Sequence, residues 1–218
     1  DMKRTVIGGG SWGTALASVL AHSGAVTIWA RDPQVVHSIN TQHRNCKYQS
    51  DLSLPKALYA TNSLTEAVTD ADLVVLVVPS HVMRAVLDEC ASLLKVGAIL
   101  VSASKGIENG SLMTMEEVMT ASLPRSFRSD LAFLSGPSFA RETIEQQATA
   151  VTVAARFPDV ATEVQRIMTT SYFRIYTTED VTGVELGGAL KNVIAIASGV
   201  AEGLGLGHNS RAALITRG

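Results

Sequence analysis

Short runs of aliphatic and β-branched residues alternate with longer segments of helical periodicity along most of this sequence. The strand-like runs are apolar at consecutive positions, so both of their faces must be covered by helices, which is typical of a parallel sheet. The pattern therefore predicts a doubly wound α/β fold. The predicted strands, each followed by its helix, are 5–7 and 11–23, 26–30 and 33–43, 73–78 and 80–94, 98–102 and 111–122, 131–134 and 138–147, and 150–154 and 159–170.

The pattern changes after a last strand-like run at 173–176. The sequence TTED, from Thr177 to Asp180, resembles a capping box and predicts a long helix with no strand after it. We therefore expect a first domain at residues 1–178 and the first part of an all-helical second domain at residues 179–218. Because two helices alone make a poor domain, we expect the sequence to stop short of that domain's end.

Charge and cysteine content narrow the classes of partner. The 18 basic and 20 acidic side chains are spread along the chain, giving a net charge of -2, so neither a nucleic acid nor a membrane surface is expected as a partner. The most apolar stretch, 181–201, contains Glu185 and Lys191, which favours a buried helix over a membrane span. Cys46 and Cys90 fit no metal-ligand spacing, so ordinary packing, no metal site and a cytoplasmic protein are predicted.

A glycine-rich loop, in the sequence VIGGGSWGTALASVL, joins the first predicted strand to the first helix. Gly8, Gly10 and Gly13 have the spacing G-x-G-x-x-G. In this setting the first glycine permits a tight turn, the second lets a pyrophosphate approach, and the third lets helix and strand pack closely. The N–H groups of Ser11 and Trp12 then point at the phosphates from the positive end of the helix. The loop predicts a Rossmann-like domain that binds NAD or NADP.

The residues Ala30-Arg31-Asp32 follow the second strand, where such a fold contacts the adenosine ribose. Arg31 can stack on the adenine and hold a 2′-phosphate, which indicates NADP, while Asp32 keeps NAD possible. A solvated Arg31 without a ligand role is the alternative. There is no P-loop sequence, which leaves a kinase or ATPase unsupported.

Small and polar residues follow four of the apolar runs, in the sequences GGGSWG, VPSH, SASKG and SGPS. The carboxyl ends of parallel strands share one edge of a sheet, and ligands bind there. Turn chemistry explains most of these residues, including Ser138 as a helix cap, and it favours a structural role for His81. It does not explain Lys105, which we expect to meet an anionic or carbonyl-bearing substrate; a solvent-facing loop lysine is the alternative.

Lys191 lies in the sequence ELGGALKNVIAIASG, on a helical face that also holds Gly187 and Gly188. Each glycine weakens a helix by roughly 1 kcal/mol relative to alanine, so a ligand or another backbone is expected to approach closely here. In a water-poor cleft, desolvation would lower the pKa of this lysine toward the range useful for proton transfer. We predict that Lys191 protonates a carbonyl oxygen as hydride arrives; a snorkelling lysine is the alternative.

Six stretches, VIGGGSWGTALA, VVLVVPSHVMRAVL, SASKGIE, LSGPSFARE, GVELGGALKNVIAIASG and SRAALITRG, together span nearly the whole chain. They resemble the NAD(P)-dependent glycerol-3-phosphate dehydrogenases of the bacterial type. The resemblance implies reversible hydride transfer between NAD(P)H and the triose phosphate dihydroxyacetone phosphate, giving sn-glycerol 3-phosphate for phospholipid synthesis.

The same resemblance assigns roles to individual residues. It implies that Lys191 is the proton donor or acceptor, and that further contacts of the family, an aspartate and a serine-arginine-asparagine cluster, lie beyond Gly218. The implied cofactor contacts are Ser11, Trp12, Arg31, Lys105 and Ala140, and the implied substrate contacts are Lys105, Gly136 and Ser138.

Other functions stay open on the sequence alone. They are a related β-hydroxy acid dehydrogenase with a different substrate, a non-catalytic NAD(P)-sensing module, and a flavin protein that shares the glycine loop. A homodimer is one possible assembly.

Overall fold

The computed structural model describes residues 2–218. Its strands are β1 (Arg4–Ile7), β2 (Val26–Trp29), β3 (Leu58–Thr61), β4 (Leu73–Leu76), β5 (Ile99–Ser102), β6 (Leu131–Ser135), β7 (Thr149–Ala154) and β8 (Phe173–Thr178). Its α-helices are α1 (Ser11–Leu20), α2 (Pro33–Gln42), α3 (Leu64–Val68), α4 (Ser80–Cys90), α5 (Met115–Ser122), α6 (Ala140–Ile144), α7 (Pro158–Met168), α8 (Val181–Gly203) and α9 (His208–Arg217). The strands form one sheet in the order β3-β2-β1-β4-β5-β6-β7-β8, which confirms the doubly wound fold.

The central strand β4 shows why the sheet needs cover on both faces. All four of its residues are buried, and alternate positions belong to two separate apolar clusters: Leu73 and Val75 to one, Val74 and Leu76 to the other. Successive side chains of a strand point to opposite faces, so the clusters lie on the two sides of the sheet. Leu16 of α1 packs into the first cluster and Met83 of α4 into the second. The continuous apolar runs of the sequence have this double burial as their cause.

Two neighbouring strands, β7 and β8, run against the predicted direction. β7 pairs antiparallel with β6, with Leu134 opposite Val153, so the expectation of a wholly parallel sheet is wrong here. A parallel crossover requires a long connection, usually a full helix that returns across the sheet. The connection at 136–148 contains only the five-residue helix α6, which packs on α1. The chain therefore enters β7 from the edge at which β6 ended.

The sequence pattern also missed a strand and a helix. β3, with the sequence LYAT, pairs in parallel with β2 at the end of the sheet, and α3 follows it. Tyr59 is exposed in this edge strand, so the run lacks the continuous apolar character that marked the other strands.

The start of α8 differs from the prediction by a few residues. Thr177 lies in β8, and Asp180 caps the helix instead, because its Oδ1 accepts a hydrogen bond from the Gly183 N–H at 2.8 Å. The predicted capping box from Thr177 is therefore wrong, although a long helix does begin here.

The prediction that this helix is buried is wrong for the part of the chain that the structure describes. Among the described residues, α8 buries only Val181 and Ala201, and the elements that pack against it most are β6, β7 and α9. By length and composition α8 could also cross a membrane, with a mean hydropathy of 1.3, a property it shares with many core helices of soluble proteins.

The two cysteines have different surroundings. Cys90 is buried, as ordinary packing predicts, and burial raises the pKa of its thiol to about 11. Cys46 is exposed, so the prediction of packing is wrong for it, because it lies in an irregular segment between α2 and β3.

Candidate active site

The glycine loop has the geometry that its spacing predicts. Gly8 has a φ of +130°, and a Cβ there would lie 2.3 Å from the Val77 carbonyl oxygen. A Cβ on Gly13 would lie 1.9 Å from the Gly8 carbonyl oxygen. Only glycine fits at either position, whereas no described atom lies within 4 Å of a Cβ built on Gly10. The space beside Gly10, at the N-terminus of α1, therefore suits a phosphate group.

A cleft of about 380 Å³ extends from this loop along the carboxyl edge of the sheet. It is bounded by 8–10, 29–32 and 77–79, and His81, for which the sequence favours a structural role, also lines it. Its volume lies in the range of pockets that hold small molecules and cofactors.

Ser11 and Trp12 lie on the first turn of α1, beside the loop. The Ser11 hydroxyl accepts a hydrogen bond from the Gln49 side-chain amide. The Trp12 ring centroid lies 6.5 Å from that of Phe173, and the indole is only partly buried.

The end of β2 carries a cluster of charges that the sequence only partly revealed. Arg31 is exposed at the cleft, as expected of a residue that meets the adenosine end of a cofactor. The Asp32 Oδ1 accepts the Gln34 N–H at 2.8 Å and caps α2, while its Oδ2 forms an ion pair with Lys47. The Lys47 ammonium lowers the pKa of the Asp32 carboxyl. Both oxygens of this acid are thus engaged.

Lys47 and Tyr48 line the same cleft, and sequence reasoning missed both. They lie in the irregular segment between α2 and β3, where no periodicity marks a position as facing a ligand.

Lys105 follows β5 and reaches across toward the glycine loop. Its Nζ lies 5.9 Å from the centroid of the Trp12 ring and donates a hydrogen bond to the Gly136 carbonyl oxygen at 3.5 Å. Burial lowers the pKa of this ammonium, and the positive charge of Lys191 lowers it further. Lys105 is therefore a half-buried cation between the Trp12 ring and the turn after β6, and not a solvent-facing loop lysine.

The turn after β6 carries the other predicted substrate contacts. A Cβ on Gly136 would lie 2.9 Å from the Val151 Cα, so glycine is needed where β7 passes. Ser138 does not cap α6, contrary to our expectation. The helix begins at Ala140, and the Ser138 hydroxyl instead donates to the Gly136 carbonyl oxygen at 3.4 Å.

Lys191 lies on α8 above this turn, where it lines a shallow cavity with 135–137 and Thr152. Its Nζ donates to the Asn192 Oδ1 at 2.8 Å, and the side chain is exposed among the described residues. The predicted water-poor setting is therefore not met in this chain, because described residues cover only one side of α8.

The glycine pair before Lys191 has two different surroundings. A Cβ on Gly188 would lie 2.7 Å from the Ser135 Oγ, which is a side-chain atom and neither the ligand nor the backbone that the sequence predicted. No described atom lies within 4 Å of a Cβ on Gly187. Among residues 2–218, no cluster of three histidine, cysteine or acidic side chains is placed to hold a metal ion.

Comparison with known proteins identifies similar sequences over the whole chain. A family model described as NAD-dependent glycerol-3-phosphate dehydrogenase N-terminus matches residues 3–162, and the corresponding C-terminus model matches residues 180–218. A glycerol-3-phosphate dehydrogenase (NAD(P)+) of Geobacter sulfurreducens is 54% identical over 214 residues, which are 98% of this chain and 64% of the relative. One from Myxococcus xanthus is 50% identical over 218 residues, 100% of this chain and 65% of the relative. The chain thus spans slightly less than two thirds of these curated relatives.

The solved structures that resemble this chain include glycerol-3-phosphate dehydrogenases as well. The glycerol-3-phosphate dehydrogenase of Coxiella burnetii superposes with a TM-score of 0.87 at 33% identity, covering 100% of this chain and 66% of that one. Glycerol-3-phosphate dehydrogenase GPD1 from yeast, Saccharomyces cerevisiae, gives 0.86 at 29% identity, covering 98% of this chain and 66% of that one.

Proposed function

Because the chain belongs to the NAD-dependent glycerol-3-phosphate dehydrogenase family, we propose that the complete protein interconverts dihydroxyacetone phosphate and sn-glycerol 3-phosphate with NAD(H) or NADP(H). The observation that carries this proposal is the pair of cations, Lys105 and Lys191, at the turn after β6, where Lys105 also faces the Trp12 ring next to the glycine loop. NAD(P)H supplies the hydride when it is bound.

The residues of the loop fit such a cofactor. Gly8 and Gly13 let the backbone fold tightly, and the open space at Gly10 admits a pyrophosphate at the N-terminus of α1. Ser11 and Trp12 lie on that first turn, and Arg31 lies at the adenosine end of the cleft. We assign Ala140, the first residue of α6, to the cofactor side as well, since α6 packs on α1.

The substrate is held where the two lysines converge. Lys105 lies within hydrogen-bonding distance of the Gly136 carbonyl oxygen, so an anionic triose at this turn would meet the ammonium group together with Gly136 and Ser138. A doubly anionic phosphate is attracted by two neighbouring cations, and it relieves their mutual repulsion.

Lys191 acts as the general acid in the direction of reduction. Its ammonium donates a proton to the carbonyl oxygen as the carbonyl carbon accepts hydride, and in the reverse direction its amine takes the hydroxyl proton. Bound substrate would cover the Lys191 side chain, which is exposed in this chain, and exclude water from it.

The test is turnover by the complete protein. We expect NADPH oxidation with dihydroxyacetone phosphate and a far lower rate with unphosphorylated dihydroxyacetone. Lys191→Ala should lower kcat by about 10²–10⁴-fold, the usual contribution of a general acid, and leave cofactor affinity largely intact. Lys56→Ala, which removes an exposed lysine in the segment before β3, is the matched control.

The rival functions predict other outcomes. Equal rates on the two substrates would favour a dehydrogenase for an unphosphorylated hydroxy compound. Cofactor binding without turnover, unaffected by Lys191→Ala, would identify a sensing module.

We include in the same proposal a cytoplasmic location and use of the product in glycerophospholipid synthesis. A homodimer stays a prediction, which the mass of the complete protein in solution would test.

A further inference from the structure

A small cavity lies directly behind Lys105, between the ends of β5 and β6 and the first turns of α8. Its polar lining consists of Ser102, Ser104, Lys105, Ser135 and Glu185. The cavity has room for about one water molecule, and a buried water needs two to four polar partners of this kind.

Two of the lining atoms lack a partner among the residues that the structure describes. The Oγ of Ser102 and the Oε2 of Glu185 are both buried and make no hydrogen bond there. The Ser102 side chain is only 2% exposed, so bulk solvent does not hydrate it. Buried polar atoms are almost always paired with protein or with ordered water, so two of them at one water-sized cavity point to a shared ligand.

The other oxygen of the Glu185 carboxyl is firmly held. Its Oε1 accepts the backbone N–H of Glu116 at 3.0 Å, in the first turn of α5. This contact fixes the carboxyl between α5 and the cavity. Burial, and secondarily the neighbouring Glu116 charge, raises the pKa of Glu185 to about 7.

The charges around Glu185 are placed on two sides. Toward α5, the Arg156 guanidinium binds the Glu116 carboxylate at 2.7 Å. The charge of Arg156 is therefore paired with Glu116 and not with Glu185. On the other side Lys105 lines the same cavity, and the charge of Lys191 disfavours the ammonium form of Lys105. From β5 and β6 the facing groups are uncharged serines. Glu185 is thus the acid that shares the cavity with Lys105.

We propose that Glu185 and Ser102 bind one water molecule behind Lys105, and that Glu185 acts through this water as a positioning residue for the Lys105 ammonium group. The ionised carboxyl accepts a hydrogen bond from the water, and the water oxygen accepts one from the ammonium. Lys105 then stays charged and directed at the turn after β6, although burial and Lys191 both oppose its charge. This inference rests on the proposed function for its catalytic consequence, but not for its physical test.

That test measures the proton affinity of Lys105 without requiring turnover. The chain is acetylated with acetic anhydride at a series of pH values, and the modification of Lys105 is quantified by mass spectrometry of its peptides. In Glu185→Gln the negative charge is lost, so Lys105 should become reactive at lower pH, with about 3–10-fold more labelling near pH 8, since one pKa unit changes the amine fraction tenfold. Labelling of the exposed Lys56 in the same sample measures the activity of the reagent. Glu142→Gln, which neutralises an exposed acid, is the control variant.

A second variant keeps the inference testable if Glu185→Gln does not fold. Ser102→Ala removes the other proposed partner of the water and should shift Lys105 labelling in the same direction. If either folded variant shows the labelling curve of the wild type, the inference is wrong.

The pH dependence of activity in the complete protein is an independent test of the role of Glu185. The alkaline limb of the pH profile of kcat/KM should move to lower pH in Glu185→Gln, whereas a merely structural role would change the rate and not the profile. A wild-type protein without dehydrogenase activity would contradict the proposed function, and the labelling result would still decide the role of Glu185.

Discussion

The Lys105 Nζ lies 5.9 Å from the centroid of the Trp12 ring, so the loop after β5 and the first turn of α1 meet through a cation and an aromatic face. A contact of this kind contributes about 0.5–1 kcal/mol at a partly exposed site. It joins the predicted cofactor-binding turn to the predicted substrate-binding lysine.

Replacing Lys105 by methionine should separate those two roles. The apolar stem remains against Trp12, but the charge that would meet the substrate phosphate is lost. A hydrogen bond to a charged group contributes about 1.5–3 kcal/mol, so we expect the KM for dihydroxyacetone phosphate to rise about 10–100-fold. The Kd for NADPH, measured by fluorescence titration, should change much less. An equal loss for both ligands would contradict a substrate role.

Lys47 should influence the choice between NADPH and NADH. It neutralises Asp32, whose two oxygens are taken by the helix cap and by the ion pair, and it places a second cation near Arg31. Lys47→Glu should therefore weaken NADPH binding about 10-fold or more, with little change for NADH, because the added charge repels a 2′-phosphate. Isothermal titration with both cofactors measures this ratio. Lys56→Glu is the control, and an unchanged ratio would remove Lys47 from cofactor selection.

Two glycine-to-alanine changes in the glycine loop should have different effects, one on stability and the other on cofactor affinity. Gly13→Ala places a Cβ 1.9 Å from the Gly8 carbonyl oxygen, so the free energy of unfolding should fall by more than about 3 kcal/mol. Gly10→Ala meets no described atom within 4 Å, and its φ of -77° suits alanine. Its stability should stay within about 1 kcal/mol of wild type, while the methyl group lowers cofactor affinity. Urea denaturation and NADPH titration distinguish these outcomes.

The Glu185 carboxyl should make stability depend on pH. Its pKa in the folded protein is raised to about 7 from an ordinary value of 4.5, so the folded state binds the proton more tightly than the unfolded state. The stabilisation by this group is complete below pH 4.5 and is lost as the pH rises through 7. Relative to wild type, Glu185→Gln should gain about 1–2 kcal/mol between pH 5 and pH 8, less than the full shift implies because solvent reaches part of the Glu185 side chain and screens its charge. Urea denaturation of both proteins at pH 5 and pH 8 measures this change in relative stability. The same difference in unfolding free energy at both pH values would contradict the prediction.

The features that sequence reasoning located are those fixed by local sterics or by continuous apolar runs. Gly8 and Gly13 could be assigned because a tight turn and a close helix contact exclude any side chain. The burial of β4 followed from four successive apolar residues.

The features it missed depend on contacts between distant segments. The direction of β7 depends on how far α6 reaches, and the positions of Lys47 and Tyr48 depend on how an irregular segment folds over the cleft. Glu185 looked like a charge that interrupts an apolar helix, and its significance comes from the α5 amide and the cavity beside it. The exposure of Lys191 depends on what packs over α8, which no pattern within the helix encodes.

The reversed direction of β7 determines where α8 begins and in which direction it runs. Since β8 is parallel to β7, its last residue Thr178 lies beside Ala154, which pairs with Phe133 inside β6, and α8 starts near this level and passes the ends of β5 and β6. Ten residues of helix rise about 15 Å, so a helix that starts near this level brings Lys191 to the turn after β6. Had β7 run parallel to β6, the same helix would start at the carboxyl edge of the sheet and carry the Lys191 ammonium group away from that turn.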